Sequence, residues 1–321
     1  MSLGKLLRFD FEPETQDNLR QLFLHPLVCG CRLLRLLGND DKKKRRLLLR
    51  SLAQGLPDRI ACEYMQEIEN LKAFSPDEYP VFPYPYSDRG PVTVETGYDR
   101  KRRLPYVLHK GRPLFGKKGQ SLKDVEWYYR WYVENEGLLG SGRRIKTPHS
   151  YVDGDFRVEE GDVVVDIGCS DALFAFDNAE IAGKIYLFES LKRWHPALEA
   201  SFEPFREKTH IISRLVSDKT SKREIRLCDA IDEPDSSHYF IKMDIEGGER
   251  TVIASSADFL QRNKVKLSCC VYHRQDDAEA ISSMLKEMGY SFRYSDGYML
   301  PLFNEIVYPY FRHGVIHARN F

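Results

Sequence analysis

The sequence predicts an α/β fold, in which a mostly parallel sheet carries helices on both faces and follows an amino-terminal α+β accessory region. Three observations predict it. From Tyr151 onward, short apolar runs alternate with segments of helical spacing, the pattern of strand–helix–strand units that build parallel sheets. Val163-Val164-Val165-Asp166-Ile167 is a nearly continuous apolar run, as a strand buried on both faces requires. That run passes through Gly168 directly into a further helical segment.

The elements follow in order. Residues 12–74 read as helical, with Leu and Ile at helical spacing and breaks at Pro26, Gly38 and Pro57. Residues 75–91 hold Pro76, Pro80, Pro83, Pro85 and Pro91 and read as an extended connection. Val92–Phe115 reads as two or three short strands around Gly97, Gly111 and Gly116. Ser121–Glu136 is a helix with Ser121 or Asp124 at its start, ended by Gly137–Gly142. These segments make residues 1–145 the accessory region, and residues 146–321 the ligand-binding domain. In that domain the strands are Val163–Ile167, Lys184–Phe188, Ile211–Val216, Phe240–Asp244 and Val265–Tyr272. The helices are Asp171–Ala182, Trp194–Phe205, Gly248–Gln261 and Asp277–Met288, and Ser291–Tyr294 and Val315–Ala318 are closing strands. Ligands of such sheets bind beyond the carboxyl ends of the strands.

Composition narrows the function classes. The chain of 321 residues is 42% hydrophobic and 30% charged, normal for a globular protein with a real core. Residues 1–150 hold 27 Lys+Arg against 19 Asp+Glu, and residues 151–321 hold 21 against 29, so halves of +8 and −8 cancel. The runs Lys42–Arg46 and Arg100–Arg103 are expected to be solvated or packed faces, with no nucleic-acid partner. The seven cysteines lack zinc-ligand spacing, so reduced thiols and a cytoplasmic protein are expected, with no metal. No signal peptide is expected at Met1–Phe11, and Leu22–Leu37, broken by Arg32 and Arg35, is too short and charged to span a bilayer.

Four places carry chemistry. In Val163–Asp171, Gly168 allows a tight turn, and the amides near Ser170 and Asp171 suit a carboxylate. With one Gly, the turn suits a pyrophosphate poorly and a ligand with an amino-acid end better, Asp166 supplying an anion for its ammonium group. Glu189 ends the strand Ile185–Phe188, 23 residues after Asp166, where an acid accepts both ribose hydroxyls of a nucleoside. Asp244 and Glu246, in Phe240–Glu249, lie at the tip of a strand beside the first one and face the reactive end of that nucleoside. His273, in Cys270–Arg274, ends the next strand and is the side chain suited to exchanging a proton near neutral pH.

Together these segments resemble the FkbM-type S-adenosylmethionine (SAM)-dependent methyltransferases. The resemblance runs from about His149 to the end. It rests on His149-Ser150-Tyr151 through Glu160-Gly161-Asp162, on Val165–Gly168, on Tyr186–Glu189, and most specifically on Ile241-Lys242-Met243-Asp244-Ile245-Glu246-Gly247-Gly248-Glu249. There the family shows I-K-x-D-x-E-G-x-E. Tyr272–Asp277 and Ser295–Tyr298 extend it. The family's first turn ends in Gly where this chain has Ala172. The resemblance implies a class I methyltransferase fold, Rossmann-like with a terminal antiparallel strand. It implies SAM as cofactor, at Asp166, Gly168, Ser170, Glu189 and Glu246, and methylation of a hydroxyl on a sugar, glycan or other small metabolite. His273 or Asp244 is then the base that removes the hydroxyl proton. Two other readings stand beside it, an RNA ribose methyltransferase and a non-catalytic SAM-binding protein.

Overall fold

The computed structural model describes residues 63–74, 81–233, 237–300 and 311–321. The helices expected between residues 12 and 62, the Leu22–Leu37 segment and the Lys42–Arg46 run lie outside the described residues. The chain divides into two compact units, Met1–Pro83 and Tyr84–Phe321. In the first, α1 (Met65–Ala73) buries Glu67, Ile68 and Leu71 along one stripe. Among the described residues no helix is long and apolar enough to cross a membrane.

The second unit opens with an antiparallel sheet of β1 (Thr96–Asp99), β2 (Leu104–His109) and β3 (Arg112–Phe115). Lys110 and Gly111 both have positive φ between paired His109 and Arg112, which a two-residue hairpin turn matching strand twist demands. Helix α2 (Leu122–Arg130) starts with a capping box in which Ser121 and Asp124 each hold the other's backbone N–H, so both candidates serve. It continues as a π-helical segment, Trp131–Glu136, in place of the single α-helix expected. Gly137, at φ 62, ends it in the left-handed conformation.

Among the described residues the larger sheet has seven strands. They are β4 (Val163–Ile167), β5 (Lys184–Phe188), β6 (Thr209–Ile212), β9 (His238–Met243), β10 (Lys264–Cys270), β11 (Ser291–Tyr294) and β12 (Val315–Arg319). Their spatial order is β11-β12-β10-β9-β4-β5-β6. Neighbours from β10 to β6 are parallel, and β12 runs antiparallel to both β10 and β11. This is the Rossmann-like class I methyltransferase order with its antiparallel terminal strand. The chain winds outward from β4 to β6 and then returns to β9 on the other side of β4. That reversal sets a crevice at the carboxyl ends of β4 and β9. Val165, Ile167, Tyr186, Ile241 and Leu267 pack in the core on one face. On the other, Phe174 lies 5.2 Å from Phe240, ring to ring.

Several elements are shorter than the sequence predicts, each for a local reason. The expected strand Ile211–Val216 is two pieces. Its first part, in β6, follows β5 to the contact of Glu189 N with the Ile212 carbonyl. Beyond the end of β5 the chain turns away, and β7 (Leu215–Val216) pairs with β8 (Glu224–Ile225) in a separate two-stranded sheet. The expected helix Asp171–Ala182 is only α3 (Leu173–Asp177), since Ala172 has φ 58 and Asn178 turns its amide onto the Phe174 carbonyl. The expected helix Trp194–Phe205 is α4 (His195–Ser201) followed by a 3₁₀ turn, Glu203–Lys208, with Pro204 at its start. A short α5 (Leu227–Ala230) precedes β9. Gly248–Gln261 is α6 (Glu249–Ser255) and α7 (Ala257–Arg262), broken at Ser256. Helix α8 (Asp277–Glu287) closes the crossover after β10.

Candidate functional site

A cleft of about 580 Å³ lies beyond the carboxyl ends of β4, β5 and β9. One wall is the turn after β4. Gly168 has φ 75, and a side-chain carbon there would stand 2.0 Å from the Asp244 carbonyl oxygen, so this crossing of two strand tips admits only glycine. Gly168, Ser170 and Glu189 all line the cleft. Glu189 accepts the backbone N–H of Ser170 at 3.1 Å and of Leu191 at 2.7 Å, which fixes its carboxylate at the tip of β5. Each carboxylate oxygen retains a further lone pair for a ligand hydroxyl.

Asp166 stands beside the cleft. Its carboxylate is buried and pairs with Lys242 Nζ at 3.0 Å. Lys242 also donates to the Gly168 carbonyl at 2.8 Å. Asp166 lines a smaller adjoining cavity of about 80 Å³, shared with Ser170 and Asp244, and not the main cleft. Burial pushes the Asp166 carboxyl up, against the pull of Lys242. Burial works the other way on Lys242, but Asp166 and Asp244 outweigh it and raise its pKa. A lysine within a buried strand was the signal in the sequence that Asp166 has a partner in the protein. Asp171, in the same turn, is pushed up to about 6 by burial.

The opposite wall centres on Asp244. Its Oδ1 lies 3.4 Å from His273 Nε2 and its Oδ2 lies 3.5 Å from His149 Nε2. The Tyr151 hydroxyl donates to Oδ2 at 2.9 Å. Each histidine has a second carboxylate behind it. Glu136 Oε2 lies 2.7 Å from His149 Nδ1, and Glu249 Oε1 lies 3.0 Å from His273 Nδ1. Burial would raise the Asp244 carboxyl, but His149, Lys242 and His273 overcome this and hold it far below the carboxylate range. Burial disfavours the imidazolium of His149, yet Glu136 and Asp244 raise its pKa to about 9. The same contest, with Glu249 and Asp244 winning, raises that of His273.

His149, Asp244 and Glu246 line the cleft, with Tyr132 and Glu136 from the π-helical segment. His273 is buried behind them, its Nε2 3.6 Å from the exposed carboxylate of Glu246. Sequence reasoning missed Tyr132, Glu136, Tyr151 and the place of His149 in the site. The first two sit in a segment with no motif, and His149 and Tyr151 were noticed only as the start of a resemblance. Tyr151 is 93 residues from Asp244 in the chain, and no spacing rule links them.

The profile of the methyltransferase FkbM domain family matches residues 171–292. No curated protein matches the chain. Among solved structures, the chain is similar to methyltransferase FkbM from Methylobacillus flagellatus KT, at 17% identity and a TM-score of 0.40, over 50% of this chain and 44% of that one. It is similar to SMU.1697c from Streptococcus mutans in complex with SAH, at 16% identity and a TM-score of 0.35, over 51% of this chain and 94% of that one. It is also similar to an rRNA methylase from Streptococcus thermophilus, at 13% identity and a TM-score of 0.35, over 51% and 92%. The match thus spans less than half the length of the Methylobacillus protein. The chain carries a methyltransferase FkbM domain over residues 171–292.

Proposed function

We propose that the protein is a SAM-dependent O-methyltransferase, cytoplasmic, acting on a hydroxyl of a sugar, glycan or other small metabolite. The observation that carries this reading is the cleft itself. Gly168, Ser170 and Glu189 stand on one wall, and Asp244, Glu246 and His149 on the other, at the reversal point of a class I methyltransferase sheet. Glu189 binds the ribose hydroxyls, and the turn at Gly168 and Ser170 admits the amino-acid end of the cofactor. Asp166 serves through Lys242, which it holds against the Gly168 carbonyl and so fixes the turn. SAM, when bound, supplies the electrophilic methyl group. Asp244 and Glu246 orient the acceptor hydroxyl, and His273 receives its proton.

Calorimetry with SAM and its demethylated product tests the cofactor half. Wild type should bind both, and Glu189→Ala should weaken binding by about 10- to 150-fold, the loss of a charged hydrogen-bond partner worth about 1.5–3 kcal/mol. Wild-type protein that is folded and binds neither ligand removes the proposal. The acceptor half is tested by incubating labelled SAM with glycan, lipid, RNA and small-molecule fractions. Label should enter a hydroxyl of a glycan or small metabolite. Label confined to RNA ribose would replace that acceptor with RNA.

A further inference from the structure

The residues around Asp244 include a sulfur that the methyl-transfer reading leaves without a task. Cys270, the last residue of β10, is fully buried, and its Sγ lies 3.4 Å from His149 Nε2. The same ring nitrogen lies 3.5 Å from Asp244 Oδ2. One donor atom from each of the three residues falls within 4.8 Å of the other two.

We infer that His149, Asp244 and Cys270 form a binding site for one divalent transition-metal ion, zinc by its chemistry, with an open coordination position toward the cleft. The inference needs the methyltransferase reading only for what the ion does there, and not for its binding.

Four features support it. Zinc holds nitrogen and oxygen at about 2.0–2.2 Å and sulfur at about 2.3 Å in a tetrahedron, so its ligand atoms stand roughly 3.3–3.6 Å apart. The separations at His149 Nε2, 3.4 and 3.5 Å, fall in that range. The Asp244 separation is long for a charge-assisted hydrogen bond, which clusters near about 2.7–2.9 Å, whereas the pair on the other ring nitrogen, with Glu136, is 2.7 Å. His149 Nε2 thus faces Asp244, Cys270 and the Tyr151 hydroxyl at 3.4 Å, while Nδ1 faces Glu136. Second, a carboxylate on the far nitrogen is what orients a metal-bound histidine and strengthens it as a ligand. Third, imidazole, thiolate and carboxylate together suit zinc and exclude magnesium or calcium, which take oxygen donors. Fourth, His149 and Asp244 line the cleft while Cys270 lies behind them. Three protein ligands with one side open is the arrangement of a zinc ion that acts on a substrate.

The neighbouring group of Asp244, Glu249 and His273 is the weaker alternative. It has no sulfur, so its donor set is less selective for zinc. At the open position an acceptor hydroxyl would bind through its oxygen and lose its proton more readily. No sequence spacing announces the site, since its ligands come from the segment before β4 and from the tips of β9 and β10.

Full-length protein, stripped with a chelator and titrated with Co²⁺ alone, tests the inference. One equivalent should bind, giving thiolate charge-transfer absorption in the near ultraviolet and tetrahedral bands in the visible, both abolished by added Zn²⁺. Cys270→Ser should lose the charge-transfer absorption. His149→Gln should weaken binding at least 10-fold, and Glu136→Gln, acting through His149, by about 10- to 100-fold. Far-ultraviolet circular dichroism shows that each variant is folded, and binding of the demethylated cofactor product is measured on wild type. Absence of stoichiometric Co²⁺ binding in wild type that binds that product overturns the metal site and leaves the methyltransferase reading standing. Spectra unchanged in both Cys270→Ser and His149→Gln overturn it as well. Metal binding as described, in protein that binds neither SAM nor its product, would instead sink the methyltransferase reading and keep the site.

Discussion

At the tip of β9, Asp244 meets a different histidine on each carboxylate oxygen, and each histidine leans on a further acid. The sequence made Asp244 and His273 legible because each follows the tip of a strand beside the crevice. It made Glu189 legible for the same reason. It hid His149 and Glu136, whose partnership arises only when the chain before β4 folds over the strand tips. The proposal for His273 is tested by His273→Ala. Loss of a general base costs about 10²- to 10⁴-fold in rate. Turnover should fall within that range while SAM affinity stays near that of wild type. If His273 serves only to hold Glu249 and Asp244 apart, the variant will melt at a lower temperature and keep its turnover per folded molecule. Measuring both on one preparation separates the outcomes.

Among the elements, helix α2 and the π-helical turn that extends it have the most bearing on the site. The sequence predicted one helix over this stretch and located its start at Ser121 or Asp124. It could not show that the last turn widens, because a π-turn has no composition of its own and frequently accompanies function. The widened turn lets Trp131 Nε1 donate to Glu136 Oε1 at 2.5 Å, while the other oxygen of Glu136 pairs with His149. The capping box anchors the opposite end. Ser121→Ala should destabilise the fold by about 0.5–2 kcal/mol, read from the urea midpoint. An unchanged midpoint would mean that the box adds nothing beyond what packing of Val125 and Tyr129 provides. The helices after β4, β5 and β9 were predicted too long for a related reason. Hydrophobic spacing continued through Ala172, Phe202 and Ser256, whereas the backbone at each of these positions has left the helix.

At the scale of the molecule, one of the basic runs is partly neutralised by acids from two places in the chain. Within the run Arg100–Arg103, Arg102 pairs with Asp99 and Glu203. Stability should depend on acid through a buried residue of the sheet. His317, on β12, is 2% exposed, and burial lowers its pKa to about 4. The Ser150 carbonyl, which its Nε2–H meets at 3.0 Å, and Asp153 oppose that shift, and Arg293 adds to it. In the unfolded chain the ring titrates near 6.5. Between those two values the unfolded state binds the proton that the folded state refuses. The contribution is fully present above about pH 6.5 and declines as pH falls toward about 4. At about pH 5 the loss from this group is about 2 kcal/mol. Urea unfolding at about pH 7 and pH 5, in wild type and His317→Gln, measures it, and the variant should show a smaller difference between the two conditions. Equal differences would assign the acid sensitivity to other groups.

The sheet's strand order also bears on how the chain assembles. β12 follows the other strands in sequence, yet it sits between β10 and β11, and among the described residues it is the only strand that β11 pairs with. β11 therefore has no partner until β12 is placed beside it, and the edge of β10 that faces β12 stays open until the same strand arrives. An unpaired edge invites pairing with another chain. Placement of this one strand closes two edges at once, so a substitution that loosens β12 would expose both.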